Sequence, residues 1–380
     1  MAEDKRSMGR LLIPRDDGLR RNNFNTLRLI LALLVVWSHS FAIWYGTERD
    51  EPLSLLLNGV YNAGNIAVLG FFTISGFLIT LSWQRSSTAG SYLAKRIARI
   101  IPGYFVATLV SSLVVVPILS GLPFGRITGQ DALGLLSNLW LRNFIVPAPG
   151  YEGAVNGSLW SIPYEFWCYL GIMGLGLAGL LRFRILLPVA AILVMLTRTI
   201  LDLLGKHPGG GLIEQVIGYP YLWFVVLPSF LIGAAMLLYR EHLPRSGVAA
   251  AGLVLLTIAS AWVPLPGGWA GAQTRLLLPP TLAYALFHVA FHPRWQLGDA
   301  ARYGDFSYGA YLYAFPIQQM LKVGLLAAGI RFFPFYVVTA MLASLAAGVA
   351  SWFLVERWFE QRKRKRKPKP LEEETLLAAP

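Results

Sequence analysis

Ionisable side chains inside long apolar stretches are the residues of this chain whose type and spacing can do chemistry. Placing such a group in hydrocarbon is costly, so each one calls for a partner or a purpose. Arg28 and His39 lie in the apolar run Leu27–Tyr45, about 16 Å apart along a helix at ~1.5 Å per residue. Arg28 stands at the edge, where its side chain can reach headgroups, but His39 is too deep for that. An imidazole there is either a neutral histidine bonded to a neighbour or a general base. Glu165, in Leu159-Trp-Ser-Ile-Pro-Tyr-Glu-Phe-Trp167, falls about 10 Å inside a second run. In a core about 30 Å thick that depth matches His39 from the other side. The two are therefore expected to meet, the carboxylate orienting the imidazole so that it can activate a hydroxyl.

Other charged groups divide between structure and binding. Arg198 has Asp202 four residues on, which predicts a structural ion pair on one helical face. Lys322, near the end of its run, predicts snorkelling. In Lys95-Arg-Ile-Ala-Arg-Ile-Ile-Pro102, Arg96 and Arg99 share a helical face. Two guanidinium groups so placed either grip phosphate or simply mark the polar end of a span. Glu356, before Arg357, closes the last run on the same side and is positioned to orient Arg28, Arg96 or Arg99. Ser75 and Ser161 are relay hydroxyls or packing residues. Tyr311, Gln318 and Gln319 are expected to line a cavity, because lipid offers them no partner, and Pro163 and Pro220 to shape it by breaking helices. No metal site is expected.

The elements that position these residues are legible from composition. The chain has 380 residues, 55% hydrophobic and only 14% charged, with a mean hydropathy of +0.53. Soluble domains carry about 25% charged residues, so lipid must solvate most of this chain. The fold class expected is all-α, a polytopic bundle of about ten transmembrane helices near 27–45, 61–81, 101–120, 158–180, 185–203, 220–239, 247–264, 276–292, 306–328 and 335–357. The first run ends in aromatic residues without a small-residue cleavage site and reads as an uncleaved span. The organisation is a basic N-terminal segment 1–26, a membrane domain 27–357 and a basic tail 358–380.

Of the 33 Lys and Arg residues, 24 fall in alternate segments that include both termini, six in the intervening ones and three within spans. The positive-inside rule then puts both termini in the cytoplasm. This also explains the net charge of +13 without nucleic acid, since the basic residues punctuate helices instead of forming a stripe. The tail Arg362-Lys-Arg-Lys-Arg-Lys-Pro-Lys369 suits anionic lipid headgroups. Asp131-Ala-Leu-Gly-Leu-Leu-Ser-Asn-Leu-Trp-Leu141 is amphipathic and too short to span, and suits a helix lying at the outer interface. The single cysteine, Cys168, excludes an intramolecular disulfide framework.

Six motifs occur in an order that resembles the acyltransferase 3 family of bacterial membrane O-acyltransferases, which includes O-antigen and exopolysaccharide acetylases. They are Asn25-Thr-Leu-Arg28 with His39, Gly70-Phe-Phe-Thr-Ile-Ser-Gly-Phe-Leu-Ile79, the Lys95–Pro102 segment, Ser158-Leu-Trp-Ser-Ile-Pro-Tyr-Glu165, Ser307-Tyr-Gly-Ala-Tyr-Leu-Tyr-Ala-Phe-Pro316 and Val355-Glu-Arg357. The resemblance spans roughly residues 22–358. It implies a bacterial inner-membrane enzyme that moves an acyl group, acetyl by analogy, from cytoplasmic acyl-coenzyme A to a hydroxyl of a glycan, a lipid-linked sugar or a related acceptor. Acyl-coenzyme A is then a donor substrate, and no cofactor is held permanently. By resemblance, Arg28 and His39 are needed for activity, and Arg96 and Arg99 handle the donor. Ala314 stands where many members carry histidine, and Phe166 replaces a second acid after Glu165.

The mechanism these readings support rests the coenzyme A phosphates on Arg96, Arg99 and Arg28, with the thioester near His39. His39 then acts as general base or as a transient acyl carrier, oriented by Glu165. The alternative from another class is a transporter or flippase of a polar envelope precursor, since carriers also hold polar sites between helices.

Overall fold

The computed structural model describes residues 11–14, 19, 21–124, 127–266 and 269–364. Much of the basic N-terminal segment and the polybasic tail beyond 364 lie outside the described residues. The described chain is all-helical, and its β-contact is an isolated bridge between Leu11 and Pro244.

Among the described residues, ten helices of 15 residues or more overlap the ten expected windows: α1 Phe24–Tyr45, α2 Ala63–Gln84, α3 Ala89–Val110, α4 Ser161–Leu177, α5 Leu186–Leu203, α6 Pro220–Leu238, α7 Gly247–Ala261, α8 Ala272–Ala290, α9 Phe306–Ala327 and α10 Phe333–Ser351. Six of them, counting extensions of α3 to Ser120 and of α10 to Glu360, are long and apolar enough to cross a membrane. That is fewer than the ten spans expected. α4 and α7 have only 17 and 15 residues. α8 and α9 are long enough, but Gln273, Thr274 and Arg275 in one and Gln318, Gln319 and Lys322 in the other dilute their hydropathy.

Local chemistry sets the helix ends. Asn62 and Asn65 form a reciprocal capping box at the start of α2, and Thr88, Ser246 and Asp305 accept hydrogen bonds from the first turns of α3, α7 and α9. Gly46, at φ 76°, ends α1 with a left-handed cap that returns its N–H to Ala42. Pro163 and Pro220 break nothing. Both stand in the first turns of α4 and α6, where a missing N–H costs no helical bond.

α2 is central, packing on α1, α4, α6 and α8. Its contact with α6 is backbone to backbone: a Cβ at Gly76 would sit 1.9 Å from the Phe230 carbonyl oxygen, and one at Gly233 2.0 Å from that of Thr73. Small residues allow this approach where lipid supplies no hydrophobic drive between helices. α9 lies on α10 in the same manner through Gly309 and Gly348. Away from the bundle, Thr128 and Asp131 cap the short helix Gly129–Ser137, and Leu133 and Trp140 are 70% and 75% exposed. This is the amphipathic segment the sequence predicts.

Candidate functional site

At the Arg28 end of the bundle, three helices converge on one carboxylate. Asp305, the N-cap of α9, pairs with Arg28 Nη1 at 2.6 Å and with Arg99 Nη2 at 2.5 Å. Ser307 fixes it, donating to Asp305 from its hydroxyl at 2.5 Å and from its backbone N–H at 3.2 Å. Burial alone would push this carboxyl up, but the two guanidinium groups and Ser307 hold it well below the usual carboxylate range. Glu360, on the continuation of α10, takes the other side of Arg99 at 3.0 Å.

Arg96 is arranged differently. It lies near the faces of Tyr92 and Tyr169, 5.9 and 5.8 Å from the ring centroids, and its polar contact is a long one, 3.5 Å to Ser82 Oγ. Its Nε is buried with no hydrogen-bond partner, and among the described residues it has no carboxylate partner. A cavity of about 340 Å³ opens here, lined by Arg28, Lys95, Arg96, Arg99, Ser75 and Tyr169 among others. A narrow cavity of about 40 Å³ adjoins it, sharing Arg28 and Ser75 and adding Ser161, Glu165, Tyr308 and Tyr311. In it Glu165 Oε1 accepts hydrogen bonds from Ser75 Oγ and from Tyr169 OH, the latter at 2.6 Å. Ser161 Oγ and Tyr311 OH are bonded at 2.7 Å.

The expected hydrogen bond between Glu165 and His39 is absent. Helices α1 and α2 run antiparallel, with Gly64 beside Ser38 and Gly70 beside Leu31. Continuing that register sets Ser75, and with it Glu165, near the level of Arg28. His39 is about 16 Å further along α1. The chain before α4 explains the displacement: Asn156 already reaches into the bundle, donating to the Leu312 carbonyl at 3.0 Å and to Ser111 Oγ at 3.1 Å. Helix α4 therefore starts part-way down, and its depth cannot be counted from the membrane surface. His39 meets the edge of Phe315 with ring centroids 5.3 Å apart, and its Nδ1 is buried without a partner.

Glu356 lies within electrostatic reach of Arg99 but forms no direct ion pair with the arginines. It is buried in a π-helical turn, Trp352–Glu356, accepting a 2.8 Å bond from Ser351, while Arg28 and Arg99 pair with Asp305 and Glu360. Asp305 is the residue sequence reasoning missed. Its available signal was an acid two residues before a serine at the start of a helix. Arg198 does approach Asp202, at 3.8 Å, and Arg275 joins that carboxylate at 3.1 Å. Lys322 does not snorkel: it donates to the Ile43 carbonyl at 2.5 Å, satisfying the end of α1. Gln318 likewise bonds to α1, at the Val36 carbonyl and Ser40.

Residues 21–352 match the Acyltransferase domain family. The chain is 31% identical to an O-acetyl transferase of Shigella phage Sf6 over 359 residues, covering 90% of this chain and 97% of that protein. The chain belongs to this acyltransferase family. Nodulation protein 10 of Rhizobium leguminosarum bv. viciae is 32% identical over 170 residues, 40% of this chain and 42% of that one. Acyltransferase MdmB of Streptomyces mycarofaciens is 27% identical over 153 residues, 40% of this chain and 38% of its own. No solved structure matches. The chain is thus an acyltransferase with apolar helices fit for a membrane, and the matched region holds Arg28, His39, Arg96, Arg99, Glu165 and Asp305.

Proposed function

We propose that this acyltransferase takes an acyl group, acetyl in the simplest case, from cytoplasmic acyl-coenzyme A and esterifies a hydroxyl of a cell-envelope glycan, lipid-linked sugar or related acceptor. The observation that carries the reading is the cavity beside Arg96. It presents a guanidinium with no carboxylate partner among the described residues, next to Lys95, and it leads through Arg28 and Ser75 into the bundle. Phosphates of the donor suit that end, and charge-assisted bonds to arginine are the strong kind. The 24-to-six bias of Lys and Arg supports an orientation in which the Arg96 end and both termini face the cytoplasm of a bacterial inner membrane.

In this reading the thioester travels past Ser75 and Glu165 to the level of His39. His39 serves as general base for the acceptor hydroxyl. A buried imidazole nitrogen left without a hydrogen bond is costly unless it has work to do. Glu165 does not orient it. Membership of an acyltransferase family weighs against the carrier alternative. Transfer of labelled acyl from acyl-coenzyme A by purified protein, supplied with an envelope extract as acceptor, tests the proposal.

A further inference from the structure

Between the donor's phosphates and His39 lie about 16 Å of protein interior that something must traverse, and the polar groups along this path are not random. At the level of Arg28, Glu165 carries hydrogen bonds from Ser75 and Tyr169. One turn further along α4, Ser161 pairs with Tyr311 across the α4–α9 contact. All but Tyr169 line the narrow cavity, and Tyr169 lines the wider one. Both hydrogen bonds on the carboxylate go to Oε1. These bonds satisfy the hydroxyls, but the second carboxylate oxygen is expensive inside a membrane bundle unless a polar ligand meets it.

Resting on the donor reading above, we infer that Glu165, Ser75, Ser161 and Tyr311 form the binding track for the donor's pantetheine arm, with the free carboxylate oxygen of Glu165 accepting an amide N–H. The arm is a thin chain of methylenes interrupted by two amides and a hydroxyl. The groups that line the cavity of about 40 Å³ offer such a chain hydroxyl and carboxylate partners for its amides. The junction at Arg28 and Ser75 is where the arm leaves the phosphate cavity.

The test is equilibrium binding to the purified full-length protein of coenzyme A and of 3′,5′-adenosine bisphosphate, its nucleotide end without the arm and without the second 5′-phosphate. Wild type should bind coenzyme A more tightly than the bisphosphate. Glu165→Ala should weaken coenzyme A about 10- to 100-fold, the scale of one hydrogen bond to a charged group, and leave the bisphosphate unchanged. Glu165→Gln keeps a carbonyl acceptor and should recover most of the loss. Tyr311→Phe, which leaves the carboxylate network intact, should show a smaller loss of the same selectivity. Unchanged coenzyme A binding in Glu165→Ala and Tyr311→Phe would overturn the track, as would equal losses for both ligands. Failure of wild type to bind either ligand would instead remove the donor reading beneath it.

Discussion

Ser75 donates its hydroxyl to Glu165 across the α2–α4 interface, and that contact fixes the carboxylate near the level of Arg28, about 16 Å along the bundle from His39. The two groups that the sequence suggests as one catalytic pair therefore lie at different levels of the bundle.

Independence of those points has a kinetic signature. His39→Ala should lower turnover about 10²- to 10⁴-fold, the usual contribution of a general base, with protein level intact. Glu165→Ala should act mainly on donor affinity. Because the residues share no partner, their effects on kcat/KM should multiply in the double variant. A double variant no worse than His39→Ala would show that they work as a unit after all.

Arg96 and Arg99 should respond differently to truncation, although the spacing makes them look equivalent. Arg96 leaves no carboxylate behind, so Arg96→Ala should raise the KM for acyl-coenzyme A about 10-fold or more without reducing abundance. Arg99→Ala takes from Glu360 its arginine and from buried Asp305 one of its two, and should also reduce the amount of folded protein. Kinetics alongside quantitative immunoblots of membranes separate the two effects.

Asp305 is the keystone of the cationic cluster. With side-chain exposures of 14% for Asp305, 22% for Arg28 and 16% for Arg99, removing the charge leaves Arg28 without its carboxylate and Arg99 with Glu360 alone, a loss on the order of 3–5 kcal/mol when a buried pair is broken. Asp305→Asn should melt at lower temperature than wild type. Its folded carboxyl is held below the unfolded value of ~3.9. The stabilisation is therefore fully present above that value and is lost as pH falls towards the depressed one. The gap in melting temperature should stay constant from about pH 8 to 5 and narrow only in stronger acid. A gap that grows on acidification would contradict the assignment.

Backbone contact between α2 and α6 gives a test away from the chemistry. Gly76→Ala drives a methyl into the Phe230 carbonyl, and overpacking of this kind costs about 1–3 kcal/mol. The melting temperature should fall, while Gly90→Ala, with open space at its Cβ, should leave it unchanged.

What was legible in the sequence, and what was not, follows from the range of the interactions. Apolar windows, the Arg198–Asp202 pair and the amphipathic segment 131–141 depend on neighbours within a few residues, so periodicity and spacing reveal them. Asp305 is 277 positions from Arg28, and no local pattern ties the two. The depth of Glu165 was misjudged because counting from an apolar boundary assumes that a helix begins at the membrane surface. Here Asn156 pulls the preceding loop into the bundle first. The Arg28-to-His39 spacing remained readable because one unbroken helix carries both.

The most direct measurement is acyl transfer itself, with purified protein in lipid, acyl-coenzyme A labelled in its acyl group, and an envelope extract as acceptor. The expected result is label appearing in an alkali-labile ester on an extract component, dependent on His39 and weakened at low donor concentration by Arg96→Ala. Folded wild-type protein that leaves labelled acyl-coenzyme A and the extract unchanged, or a His39→Ala variant that transfers at the wild-type rate, would contradict it.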